Sequence, residues 1–144
     1  MKTCLVLEGG AMRGMYTAGV LDVFYSAGIH FDGIIGVSAG AAFGVNNLTR
    51  QPGRVIRYSK RYNTNHDYMG LLPLLKSGNI INTAYAYDKV PRELDPFDGD
   101  TFDASGVPFW VVVTNLETGK PEYIRLEHSM AQMDAIRASA SMPF

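Results

Sequence analysis

Two glycine-rich segments, each lying between a short apolar run and a helical pattern, constrain this chain most. The first covers residues 8–14 and follows the apolar run 3–7; the second covers residues 36–40 and overlaps the end of the run 34–37. Short apolar runs that end at glycine are typical of buried strands, and strand–helix repeats at this spacing indicate parallel strands joined by right-handed crossovers. The sequence therefore predicts an α/β fold with a central, mostly parallel sheet and helices on both faces.

The remaining elements follow from the same patterns. Residues 108–114 and 122–126 are expected to pair as a hairpin that turns at Gly119 and Lys120. Helices are expected over residues 13–27, 39–48, 55–62, 83–90 and 129–139, with Ser129 as the N-cap of the last. Prolines 73, 91 and 96 are expected to break the region between residues 51 and 106. Within it, the apolar stretch 68–75 is either core or a cover that meets lipid.

Composition excludes several classes of protein. The chain has 144 residues, 47% of them hydrophobic, which fits one globular domain. Thirteen Lys and Arg residues against fourteen Asp and Glu residues leave no basic excess for nucleic acid. The apolar runs are far shorter than the ~20 residues of a membrane-spanning helix, and the start lacks a secretion signal, so a cytoplasmic location is expected. The one cysteine, Cys4, is expected to be buried and inert.

The second glycine segment has the pattern G-x-S-x-G. Gly36, Val37, Ser38, Ala39 and Gly40 stand between a predicted strand and a predicted helix, which is the setting of a nucleophile elbow. Glycine flanks allow the sharp turn, and the N-terminus of the following helix favours an oxyanion. The alternative is a plain tight turn in which Ser38 caps the helix.

The first glycine segment fits an oxyanion hole better than a nucleotide site. A P-loop needs Lys followed by Ser or Thr, but Gly14 is followed by Met15. A dinucleotide fingerprint needs a glycine at position 11, where this chain has Ala11, and an acid at the end of the second strand, and neither is present. Backbone N–H groups of Gly9, Gly10 and Ala11 could instead bind an oxygen beside Ser38, because parallel strands bring their carboxyl ends together.

These motifs together resemble the patatin-like phospholipase family. The resemblance rests on residues 7–14, followed by Tyr16 and the segment 19–21, and on the elbow 36–40. It continues through the segment 114–119 and the Ser-x-Ser-x-Pro stretch within residues 138–144. It implies a three-layer α/β hydrolase that cleaves lipid or other carboxylic esters with a Ser–Asp dyad, with no metal or other cofactor and with transient contact with a membrane surface.

Carried over residue by residue, the resemblance makes Ser38 the nucleophile. The oxyanion loop would then be formed by Gly9, Gly10, Ala11, Met12, Arg13 and Gly14. Ala11 departs from the family's commoner third glycine. We expect a small effect of that departure if the φ angle of Ala11 is negative.

The family's catalytic aspartate, in Asp-Gly-Gly or Asp-Gly-Ala, would lie downstream of Phe144. The Asp-Gly pairs present here are at Asp32, expected at the far end of the sheet, and at Asp98, expected in a solvated turn. Residues 1–144 are therefore expected to be the N-terminal part of one hydrolase domain and inactive alone. The alternatives are an inactive or lipid-binding fragment, and a Ser–Asp–His esterase that uses His128. His30 and His66 have no partner at metal-ligand spacing.

Overall fold

The computed structural model describes residues 2–141, which form a four-stranded sheet with helices packed on it. The strands β1 (Cys4–Leu7), β2 (Gly33–Val37), β3 (Phe109–Thr114) and β4 (Pro121–Leu126) lie side by side in that order. The first three are parallel, and β4 runs antiparallel to β3. The predicted α/β class with a mostly parallel sheet is therefore confirmed, as is the hairpin.

The helices fill the connections between the strands. They are α1 (Gly14–Ser26), α2 (Ala39–Gly44), α3 (Arg54–Tyr62), α4 (Leu71–Ser77), α5 (Gly99–Asp103) and α6 (Met133–Ser139). Short 3₁₀ helices cover Ala11–Arg13 and Val45–Leu48, and a π-helix covers Tyr85–Leu94. Within residues 2–141, every helix is too short or too polar to cross a membrane.

The core lies against one face of the sheet. The pairing register places Ile34, Phe109 and Leu126 side by side on this face, and all three are buried. Leu21 of α1 and Ile136 of α6 pack into the same cluster. The connections from β1 to β2 and from β2 to β3 advance in the same direction along the sheet, so right-handed crossovers put their helices on the same face.

Residues 2–141 leave much of the opposite face uncovered. Val6 is 63% exposed, Tyr123 is 62% exposed, and Cys4 is also exposed. The expectation of a buried Cys4 thiol is therefore wrong: Cys4 and Val6 alternate with the core-facing Leu5 and Leu7 and point away from the core. The second helical layer that the family resemblance implies is not formed by this part of the chain.

The middle of the chain departs most from expectation. The helix expected over residues 83–90 is a π-helix that runs on to Leu94 through Pro91, so the expected break at Pro91 is wrong. Proline removes a donor and crowds the preceding turn of an α-helix, and the wider π turn accommodates it. Pro73 lies in the first turn of α4, where a proline needs no donor and is tolerated.

The last helix begins later than expected. Ser129 is fully buried, and its N–H and Oγ both donate to Asp103 Oδ1, at 2.9 and 3.0 Å. These bonds hold Ser129 against α5, and α6 begins only at Met133. The expectation that Ser129 caps the helix is therefore wrong. The other end of α6, at Ser139, reaches the candidate site.

Candidate active site

Ser38 occupies the sharp turn between β2 and α2. Its backbone angles are φ 52° and ψ −119°, a conformation that L-residues rarely adopt and that costs roughly 1–3 kcal/mol. Val37 before it is 37% exposed, whereas Ala39 after it is buried. Strain at a single serine between a parallel strand and a helix is the geometry expected of a nucleophile elbow.

The two glycines of the elbow are required by close backbone contacts. A Cβ atom on Gly36 would lie 2.6 Å from Ala41 Cα, and one on Gly40 would overlap the carbonyl group of Leu7. A side chain at either position would push α2 away from the ends of β1 and β2. The G-x-S-x-G spacing therefore lets α2 begin directly over the sheet, with Ser38 at its start.

Ser139 holds the elbow from the side of α6. The Ser38 N–H donates to Ser139 Oγ at 2.8 Å, and this hydroxyl donates to the Val112 carbonyl at 2.6 Å. The sequence signal for this contact is the Ser-x-Ser-x-Pro stretch, of which Ser139 is the first serine. Its end, residues 142–144, lies outside the described residues.

The glycine loop lies directly against Ser38. A Cβ atom on Gly9 would lie 3.1 Å from Ser38 Cβ and 3.8 Å from Ser38 Oγ. Within the described residues, the N–H groups of Gly9 and Gly10 donate to no other group. The Gly10 carbonyl accepts from the Arg13 N–H at 3.0 Å, which turns the chain into the 3₁₀ helix. The loop thus presents unpaired backbone donors beside the serine.

The other residues of this loop differ in their surroundings. Ala11 has a φ of 46°, so the negative φ on which the expectation of a small effect depended is not present. Met12 lines the cavity described below, and the Arg13 side chain is exposed. Gly14 is buried at the start of α1, where a Cβ atom would lie 2.8 Å from the Phe43 ring. Gly14 therefore permits close packing of α1 on α2.

A cavity of about 250 Å³ opens beside Ser38. Its apolar wall includes Ala42, Met69, Ile81, Val90, Met133 and Ile136. An engineered apolar cavity of ~150 Å³ binds benzene, so this cavity can hold a chain of roughly six to ten carbons. The nucleophile candidate therefore stands at the wall of a space suited to an acyl chain.

Two polar side chains of the cavity wall are bound to each other. Arg54 Nη1 donates to Asn46 Oδ1 at 2.7 Å, and the guanidinium also donates to the carbonyls of Asp95 and Pro96. The Asp95 carboxylate lies 3.3 Å from Arg54 Nε and 2.8 Å from Arg57 Nε. Burial lowers the pKa of Arg54, but an arginine keeps its charge through such a shift. Arg54 is therefore fully engaged in holding α3 to the loop around Asp95.

Three tyrosines in the cavity wall were missed by the sequence reasoning. Tyr58, Tyr68 and Tyr87 line the cavity, and their hydroxyls form no hydrogen bond to another described residue. Since every fully buried side-chain oxygen in the described part of the chain has a partner, these hydroxyls are accessible rather than sealed in the core. Burial raises the pKa of Tyr58 and of Tyr68, and raises that of Tyr87 to about 12, so all three hydroxyls stay neutral. Their positions follow no period, and only the fold brings them together.

Among the described residues, no carboxylate or imidazole lines the cavity with Ser38. His128 Nδ1 lies 3.5 Å from Asp103 Oδ2, just beyond the end of β4 that pairs with Phe109. Phe109 begins β3, so His128 lies at the edge of the sheet opposite Ser38. The structure does not bring His128 to Ser38, and the Ser–Asp–His alternative is set aside.

Asp32 and Asp98, the aspartates of the two Asp-Gly pairs, form hydrogen bonds that stabilise the local structure. Asp98 caps α5 by accepting from the Thr101 N–H at 2.9 Å and from Thr101 Oγ1 at 2.7 Å, bonds that lower its pKa. Asp32 accepts from the Thr3 N–H at 2.6 Å, which lowers its pKa, at the edge where β1 and β2 begin. Asp32 lies at the far end of the sheet from Ser38, as expected. Asp98, expected in a solvated turn, is exposed and is absent from the cavity wall. Residues 2–141 contain no cluster of three or more acidic, His or Cys side chains suited to a metal ion.

A strained serine beside a glycine loop and an apolar cavity is typical of serine hydrolases that act on acyl esters. Comparison with known proteins gives the same class. Residues 5–144 match the family model described as patatin-like phospholipase. The chain belongs to the patatin-like phospholipase family.

One curated relative is similar along almost the whole chain. The uncharacterized protein YjjU of Escherichia coli strain K12 is 33% identical over 147 residues, covering 99% of this chain. The aligned region is 40% of the relative, so the chain spans well under half of that protein's length.

Proposed function

We propose that the complete protein hydrolyses carboxylic esters of lipids through an acyl-Ser38 intermediate. The position of Ser38, between the glycine loop and an apolar cavity of about 250 Å³, is the observation that carries this proposal. Ser38 Oγ would attack the ester carbon and release the alcohol. Water would then hydrolyse the acyl-serine and release the acid.

The oxyanion that forms in each step would be bound by the backbone. Gly9 and Gly10 have N–H groups with no other partner in the described residues, and Gly9 approaches Ser38 most closely. The Ala39 N–H, directly after the nucleophile, is the usual second donor at such an elbow. The Ser38 N–H is already bonded to Ser139 and would not contribute.

The general base in this proposal is an aspartate beyond residue 144. The described wall of the cavity holds no carboxylate, and the matched relative is far longer than this chain. The chain would then be the N-terminal part of a single hydrolase domain. Residues 1–144 alone would hydrolyse a p-nitrophenyl ester slowly or not at all, whereas the complete protein would hydrolyse it with normal turnover.

Contact with a lipid surface fits the segment around α4. Leu71 is 76% exposed and Leu75 is 84% exposed. This segment starts and ends at the antiparallel bridge between Met69 and Ile81, both of which line the cavity. Apolar side chains on this projection would meet lipid next to the route into the cavity. A cytoplasmic location stays a prediction from the sequence.

Labelling of the complete protein with a fluorophosphonate probe tests the proposal. Wild type is expected to be labelled and to hydrolyse p-nitrophenyl esters, and Ser38→Ala to lose both properties. Ser26→Ala is the matched control, because the Ser26 hydroxyl donates only within α1, to Asp22 O at 2.9 Å. Undiminished labelling of Ser38→Ala would refute the assignment. Lipid binding without labelling of wild type would favour the alternative of a lipid-binding protein.

A further inference from the structure

The polar groups in the wall of the cavity fall into two sets. Arg54 and Asn46 are bonded to each other and to backbone carbonyls. The side chains of Tyr58, Tyr68 and Tyr87 line the cavity, and their hydroxyls form no hydrogen bond to another described residue. Every fully buried side-chain oxygen of the described residues has a partner, so these three hydroxyls stay accessible. An accessible, unpaired hydroxyl in an otherwise apolar wall can bind a polar group of a ligand.

Two of the three rings are held in place by their neighbours. The Tyr58 ring packs against Phe43 at 6.5 Å between centroids, and the Arg54 guanidinium lies 5.2 Å from the Tyr58 centroid. The Tyr68 ring meets the edge of Tyr85 at 5.7 Å. Because the rings are fixed, their hydroxyls are oriented before a ligand arrives, which lowers the entropic cost of binding one.

The three side chains share the wall of one cavity. Burial is the main cause that raises the pKa of Tyr58 and of Tyr87, and the charge that Tyr68 would carry on ionisation adds to it. The neighbouring Tyr85 differs, since its hydroxyl accepts from Asn65 Nδ2 at 3.2 Å and is not free. The cavity therefore combines apolar walls with one group of free neutral hydroxyls.

We propose that this cavity selects acyl chains that carry a neutral oxygen function, a hydroxyl or keto group, hydrogen-bonded by Tyr58, Tyr68 and Tyr87. A tyrosine hydroxyl both donates and accepts, so it serves an alcohol or a ketone equally. A carboxylate on the chain is disfavoured, because the one cation in the described wall, Arg54, is already neutralised by Asp95. This inference rests on the proposed function, since it concerns the acyl group delivered to Ser38.

The test compares matched p-nitrophenyl esters on the complete protein. Plain decanoate is set against hydroxydecanoate and ketodecanoate esters, with the oxygen placed at successive carbons, and kcat/KM is measured for each. One hydrogen bond is expected to favour the oxygenated ester by about three- to tenfold at the best position. Tyr58→Phe, Tyr68→Phe and Tyr87→Phe should each lower that preference. Tyr123→Phe, on the uncovered face of the sheet, should keep it.

The possible outcomes distinguish a failure of this inference from a failure of the proposed function. Equal kcat/KM for plain and oxygenated esters in wild type, unchanged in all three cavity variants, would overturn the inference and leave the esterase standing. Absence of both turnover and fluorophosphonate labelling would refute the proposed function and this inference with it. Thermal melts verify that the variants fold. Calorimetric binding of the same esters to Ser38→Ala protein measures the preference without turnover.

Discussion

The backbone N–H of Ser38 donates to Ser139 Oγ at 2.8 Å, across 101 positions of sequence. Because the same hydroxyl donates to the Val112 carbonyl, it joins the elbow, β3 and the end of α6. A strained conformation such as that of Ser38, with φ 52°, persists only where its surroundings hold it. Ser139 therefore acts as a positioning residue for the nucleophile candidate.

Ser139→Ala should impair the elbow without removing the nucleophile. It leaves the Ser38 N–H and the Val112 carbonyl without their partner, so we expect a loss of about 1–3 kcal/mol in the free energy of unfolding. A small displacement of Ser38 should lower kcat about tenfold to a hundredfold with KM little changed. Ser141→Ala is the control, because its hydroxyl donates only to Arg137 O within the α6 end. Equal kcat in the two variants would argue against the positioning role.

Gly9→Ala should disturb the reaction space more than Gly10→Ala does. A Cβ atom on Gly9 would lie 3.1 Å from Ser38 Cβ, whereas one on Gly10 has its nearest neighbour, Arg13 Cβ, at an ordinary 3.7 Å. Moving the loop away from Ser38 should lower kcat/KM by about a hundredfold, the effect of a displaced oxyanion donor. Steady-state kinetics of both variants decide the matter. A similar small loss in both would mean that Gly9 does not set the distance between loop and serine.

Ala11→Gly should stabilise the protein, against the usual direction of that substitution. Ala11 has a φ of 46°, a conformation that costs an L-residue roughly 1–2 kcal/mol and glycine almost nothing. After the entropy that glycine adds to the unfolded chain, a net gain of up to about 1 kcal/mol is expected. Ala138→Gly, at an exposed position of α6, should instead lose about 0.5–1 kcal/mol. Urea unfolding measures the stability of both variants. Destabilisation by Ala11→Gly would argue against backbone strain at Ala11.

The sequence predicted the parts of this fold that local rules determine. Apolar runs marked the first three strands, and the turn at Gly119 and Lys120 predicted the fourth as a hairpin partner. The spacing of Gly36, Ser38 and Gly40 placed the serine correctly at a strand-to-helix turn. It could not show the φ of Ala11, because alanine rarely adopts a positive φ and the loop imposes it. Nor could it show that Cys4 lies on the uncovered face, since a continuous apolar run hides the alternation of a strand.

The tyrosine group escaped prediction for a different reason. Tyr58 lies on α3, Tyr68 before α4 and Tyr87 on the π-helix, so their meeting depends on tertiary packing alone. The π-helix was itself unpredictable, because propensity rules read Pro91 as a break. The cavity wall is thus built from the least regular part of the chain, where periodicity gives no guide.

Stability should fall at alkaline pH because of the cavity tyrosines. In the unfolded chain a tyrosine ionises near pH 10, whereas burial raises the pKa of Tyr87 to about 12. Between these values the unfolded state has lost a proton that the folded state keeps, so stability present below about pH 10 declines as the pH rises. Over the pH range measured, Tyr87→Phe should flatten this decline by about 1 kcal/mol. Urea unfolding from about pH 9 to pH 11 provides the measurement, and an unchanged slope would contradict the buried neutral hydroxyl.

Among the acidic residues, Asp95 should contribute most to the stability of the cavity wall around Arg54. It is buried between Arg54, which is 3% exposed, and Arg57. Asp95→Asn would leave the Arg54 charge buried without its counter-ion, at a cost of about 3–5 kcal/mol in the free energy of unfolding. The exposed pair of Asp88 and Arg92 offers the matched control.

Asp88→Asn should change stability by no more than about 0.5 kcal/mol, because both partners are solvated and their attraction is screened. Urea unfolding of the two variants at equal salt gives the comparison. Since Arg54 also packs over the Tyr58 ring, Asp95→Asn should in addition weaken any preference for oxygenated esters, whereas Asp88→Asn should not. Equal stability of the two variants would mean that Arg54 reaches water when Asp95 is neutralised. The cavity wall around Arg54 would then be less rigid than its hydrogen bonds indicate.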